Sequence, residues 1–161
     1  MTSAATARIG EIAELAPQLA ERDNEIRTRI STLDREYTFA RRAGEPILPT
    51  LLAEQRRARE DQKALDAQRV QLLAELDELR VPLVERQRLY RSRSAVSKRG
   101  ERMSRAEFDA VVADIRREQA MLDRARNWLN GNIPRARAEA ATMAAIYASC
   151  HDPLSFDSND W

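Results

Sequence analysis

Glycine, cysteine, histidine and aromatic residues are all scarce in this chain of 161 residues. The four glycines, at positions 10, 44, 100 and 131, are too scattered to build a phosphate-cradling loop. Cys150 is the only cysteine, so no intrachain disulfide forms and the fold needs no oxidising compartment. With one histidine besides, His151, the chain holds too few soft ligands for a zinc site. Cys150 and His151 are adjacent, and side chains of neighbouring residues diverge rather than form a nucleophile–base pair. Carboxylates are spread among arginines along helical faces, and spacing singles out no catalytic couple. The reading is a chain with no catalytic residue, metal or cofactor, and therefore not an enzyme.

Aromatics make up only 5%, too few for a thick globular core. No apolar run reaches 18 residues, so no membrane span is expected. The opening MTSAATARIGEIAEL lacks a signal peptide's apolar centre. The expected location is the cytoplasm or the interior of a viral particle, without secretion by signal peptide. The net charge of +1 gives the whole molecule no strong pull toward polyanions, so any such pull is local.

What is abundant is Ala, Glu, Leu and Arg, with 33% charged residues, the composition of long helices and coiled coils. A first stripe runs through Ile9, Ile12, Ala16, Leu19, Asp23, Ile26, Ile30, Leu33, Tyr37 and Ala40 in steps of three and four. Nine of these ten are apolar, where 43% hydrophobic composition gives about four by chance. Pro17 interrupts the stripe and is expected to kink the helix or mark the start of its firm part. The helix ends in RRAGEPILPT, with Gly44 suited to the position after the last turn and Pro49 to the first turn of the next helix.

A second stripe runs through Leu48, Leu51, Gln55, Ala58, Gln62, Leu65, Arg69, Leu72, Leu76, Leu79 and Leu83, with a bend expected at Pro82. Two stripes joined by a short Gly/Pro turn near 44–49 predict an antiparallel hairpin over residues 1–95. If 43 faces 48, opposed positions sum to about 91, which brings Asp23, the charged member of the first stripe, near Arg69. That pair is expected to meet and fix the register, adding specificity more than stability.

MSRAEFDAVVADI begins a third helix, with Ser104 and Glu107 forming a capping box and Met103 and Phe108 placed as a hydrophobic staple. Phe108, Val111, Ile115, Leu122, Ala125 and Leu129 form its apolar face, and NGNIP stops it. A short Ala-rich fourth helix is expected from Pro134 to Ser149, making 104–149 a helix pair. Residues 150–161 read as an acidic and aromatic tail, with Leu154, Phe156, Asp157, Asp160 and Trp161 as docking groups.

Between the hairpin and the helix pair lies a basic connector, 96–103, within the stretch RQRLYRSRSAVSKRGERMSR. That stretch carries Arg86, Arg88, Arg91, Arg93, Lys98, Arg99, Arg102 and Arg105 against one acid, Glu101. Cations at a helix C-terminus are ordinary solvated groups. Their density here also suits contact with an acidic protein surface, because a guanidinium grips a carboxylate at two points and its stem packs on apolar surface. Phosphate-backbone binding, with Tyr90 stacking on a base, ranks below that. The acidic tail of an adjacent subunit is one partner whose charge would fit.

The expectation is an all-α fold: an elongated helical hairpin, a capped third helix and a short fourth. Its expected role is a non-enzymatic structural or adaptor protein that binds copies of itself or other proteins. In general style the chain resembles small phage-encoded helical proteins of virions and their assembly, which implies a virion or assembly component. No family motif carries that likeness. The alternatives are a nucleic-acid-binding accessory protein using the basic connector, and a helical inhibitor of a host complex.

Overall fold

The computed structural model describes residues 3–131, which are all-α. Helix α1 spans Ala4–Ala43, α2 Pro49–Leu89, α3 Arg93–Lys98 and α4 Arg105–Leu129. At 1.5 Å per residue the two long helices are each about 60 Å in length, and α4 about 37 Å. The expected fourth helix and the tail lie outside the described residues.

The turn between α1 and α2 follows from its residues. Gly44 takes the left-handed conformation, φ 69°, and the Glu45 N–H donates to the Ala40 carbonyl at 2.9 Å, closing the last turn of α1. Pro49 opens α2, where its missing N–H costs nothing. Pro17 and Pro82 both lie inside continuous helices. The firm part of α1 therefore begins at Ala4 rather than at Pro17: packing on the helices alongside holds the first four turns in place.

The hairpin is antiparallel. Arg8 pairs with Glu75, Asp23 with Arg69, and Asp34 with Arg59. Along the first stripe Ile9, Ile12, Ala16, Leu19 and Leu33 are buried, and Ile26, Ile30, Tyr37 and Ala40 half-buried. Along the second, every position from Leu51 to Leu83 is buried or half-buried, whereas Leu48 caps α2 and stands exposed.

Helix α4 packs against both members of the hairpin, so the hairpin and the third helix are not separate units. Its Glu118 reaches Thr6 and Arg86, and its Leu129 carbonyl reaches Arg69. It thus runs parallel to α1 and antiparallel to α2, and the first half of α1 joins the second half of α2 in a three-helix base. Twelve buried apolar residues from the three long helices, from Ile9 to Leu129, form one core cluster there. Full burial of a Leu or Ile is worth about 1.5–3 kcal/mol, so the base carries most of the stability. Beyond it, residues 27–64 continue as a two-helix arm whose buried apolar side chains are Leu33 and Ala58. Phe39, Leu48 and Leu52 are exposed near the tip of this arm.

Candidate functional site

The basic stretch maps to the end of the base opposite the arm's tip. There α2 stops at Tyr90, and the chain does not run on as an irregular connector. Residues 93–98 instead form α3, because Ser92 caps it by accepting the Ala95 N–H at 3.1 Å and Val96 is buried beneath it. Gly100, at φ 81°, allows the next turn. Ser104 then starts α4 with a complete capping box: its hydroxyl accepts the Glu107 N–H at 3.2 Å, and the Glu107 carboxylate accepts the Ser104 N–H at 2.7 Å. The backbone N–H of Ser104, and secondarily its hydroxyl, hold the Glu107 carboxyl below its usual 4.5.

The eight cations are not equivalent. Arg86 turns inward, its Nη1 2.6 Å from Glu118, so it belongs to the fold. Arg99 lies over the Tyr90 ring, 5.6 Å from its centroid, with Glu101 at 4.0 Å. Arg105 has Asp109 at 3.9 Å. Arg88, Arg91, Arg93, Lys98 and Arg102 form no ion pair among the described residues.

Arg88, Arg91, Lys98 and Arg99 line a shallow cleft of about 540 Å³ between the last turns of α2 and α3, with Leu89 and Ala95 as its apolar part. Glu85 is the one acid on its wall. Tyr90 is not a free platform: its ring packs at 6.5 Å and 40° against Phe108 and lies beneath Arg99.

Two buried polar groups tie the base together. Glu118 is 4% exposed and accepts from the Thr6 hydroxyl at 2.6 Å as well as from Arg86. Although charged, it occupies the step between Ile115 and Leu122 on the apolar face of α4, so heptad spacing marks its position. A larger cleft of about 630 Å³ opens beside this network, whose polar groups already bind one another. At the other end of α4, Arg69 lies 3.4 Å from Asp23 and donates from Nε to the Leu129 carbonyl at 2.7 Å. Asp23 also accepts from Gln62 at 2.8 Å and Arg27 at 2.9 Å.

Leu154, Phe156, Asp157, Asp160 and Trp161 lie outside the described residues. Among the described residues no group of three His, Cys, Asp or Glu side chains could hold a metal ion, and no helix is long and apolar enough to cross a membrane. No family model, curated protein or solved structure matches the chain.

Proposed function

We propose that this protein is a non-enzymatic helical adaptor whose basic corner docks on acidic protein surface. One observation carries the reading: Arg88, Arg91 and Lys98, three cations without ion-pair partners among the described residues, line one cleft together with Leu89 and Ala95. A phosphate backbone uses charge alone, whereas this cleft also offers Leu89 and Ala95 to an apolar side chain. Tyr90, the aromatic that single-strand stacking would need, is engaged by Arg99 and Phe108, which supports the protein reading over the nucleic-acid one. The exposed Phe39, Leu48 and Leu52 lie at the opposite end of the rod. Such a layout suits a molecule that joins two bodies, including two copies of itself in a particle or its assembly.

The test is binding of the full chain to an Asp/Phe-containing peptide and to random DNA and RNA across a salt series. The expected result is peptide binding that is lost in the Arg88→Glu/Arg91→Glu/Lys98→Glu variant. Binding to nucleic acid alone, with a steep salt slope, would transfer the corner to the nucleic-acid reading. Absence of both would remove the corner as a site.

A further inference from the structure

We propose that a second copy of this chain docks on the outer face of α2, the two α2 helices running antiparallel along a shared seam. The surface is separate from the basic corner and does not depend on how that corner is read.

Helix α2 carries two apolar stripes. One faces the core, through Leu65, Leu72, Leu76, Leu79 and Leu83. The other faces solvent. Ala67, Val70, Ala74, Asp77, Val81 and Val84 again follow alternating steps of three and four, and five of the six are apolar. All six are exposed, Val70 at 65%, Val81 at 58% and Val84 at 44%. Outside the arm's tip the described residues expose five large hydrophobic side chains, and three of them stand on this stripe. Single exposed apolar residues are ordinary, whereas a heptad-spaced row has the form of a helix–helix seam. Valine also suits a solvated helix surface poorly, because its branched side chain loses rotamer freedom there and gains no burial. Asp77, the exception, is turned aside: its carboxylate lies 3.0 Å from Arg126 of α4.

Charge selects the occupant and its direction. A parallel pair of copies would set each residue against its own equivalent, placing Asp77 on Asp77 and, at the end of the stripe, Arg88 on Arg88. With the copies inverted and Val70 opposite the second copy's Val81, Ala67 falls opposite Val84 and Asp77 opposite Ala74. The flanking positions agree: Gln71 meets Glu78, Leu73 meets Arg80 and Asp66 meets Gln87, so no like charges oppose one another along the stripe. Arg88 and Lys63 oppose each other only at its two ends, where long side chains reach water. A slip of one heptad in one direction brings Glu78 onto Glu78 and Arg80 onto Arg80; in the other it sets Lys63 on Val81 and Glu60 on Val84. The stripe is thus self-complementary in one register, as a two-fold contact between identical surfaces requires. Residues 67–84 give a seam of about 27 Å, short enough for the association to depend on concentration.

Sedimentation equilibrium of the full chain across a wide concentration series is expected to show monomer in exchange with dimer. Val70→Glu/Val81→Glu sets carboxylates against each other in the seam and should leave monomer throughout. Its helical circular dichroism should be unchanged, because both side chains stand in solvent. Val70→Ile/Val81→Ile should tighten the dimer several-fold. Direction is read from a nitroxide at Lys63→Cys in a Cys150→Ser background. An antiparallel seam separates the two labels by roughly 40 Å, and a parallel one by about 10 Å. A native chain that stays monomeric, a glutamate variant that still dimerises, an isoleucine variant of unchanged affinity, or the short label distance would each overturn the proposal. The monomeric glutamate variant should keep its affinity for the Asp/Phe peptide, so failure of the seam and failure of the basic corner are told apart.

Discussion

Arg69 of α2 donates through Nε to the backbone carbonyl of Leu129, 2.7 Å away, at the last turn of α4. The same guanidinium faces Asp23 of α1 at 3.4 Å, so one side chain bridges all three helices of the base. Its side chain is 11% exposed and that of Asp23 8%, which makes loss of either partner costly. Arg69→Leu is expected to destabilise the protein by about 3 kcal/mol in urea denaturation, because Asp23 stays buried with fewer donors. Adding Asp23→Leu should recover most of that loss. Spin-label distances across α1 and α2 then test the register role: a double variant with a uniquely defined native alignment would show that other contacts set it.

The Arg86–Glu118 pair predicts an asymmetry. Glu118 is buried, whereas Arg86 is 38% exposed in its side chain and can turn to water. Arg86→Leu strands a buried carboxylate and is expected to cost about 2–3 kcal/mol. Glu118→Leu extends the apolar face of α4 and should cost less than half as much. Equal losses in thermal or urea unfolding would contradict this account of the pair.

Acid should weaken the fold through Glu75 and Glu107. Hydrogen bonding from Arg8 holds Glu75 below its usual 4.5, and the Ser104 N–H does the same for Glu107. Both groups have depressed folded-state values, so their contribution is fully present above the unfolded value. It is lost as pH falls below 4.5 through the folded values. Melting temperature followed from pH 7 downward should fall across that window, and the Glu75→Gln/Glu107→Gln variant should show a shallower fall. Glutamine retains the capping geometry at 107, which separates titration from loss of the cap.

Two glycines with positive φ should respond differently to alanine. Gly44, at 69°, has open space around it, so Gly44→Ala should cost about 1 kcal/mol from backbone strain alone. Gly131 is at 77°, and a Cβ there would meet Arg69 Nη2 at 2.6 Å. Gly131→Ala must therefore also displace the guanidinium that binds Leu129 and Asp23, and it should cost measurably more than Gly44→Ala in the same denaturation assay. Equal costs would mean that Arg69 yields without penalty.

The hairpin was legible because steps of three and four mark the helix faces that leave water, and because Gly44 and Pro49 carry their own backbone preferences. The capping box at Ser104 was legible for a similar reason: both of its bonds span three residues. What depends on distant residues was not. Nothing local says that α4 lies along both helices of the hairpin, so the burial of Glu118 and the inward turn of Arg86 were invisible. Arg86 looked like its neighbours in a run of cations, and only its partner distinguishes it. The short helix α3 carries no periodic signature, because six residues are too few to show a period. The cleft floor at Leu89 and Ala95 becomes visible only once α2 and α3 are placed side by side.

The rod is three helices thick at one end and two at the other, and this has a mechanical consequence. Amide protons between 27 and 64 should exchange with solvent sooner than those of the base, and a protease should cut first near Gly44. Pulled or heated, such a body opens like a pair of tongs from the fingertips inward. The grip at its far end could then loosen and re-form while the hinge stays closed.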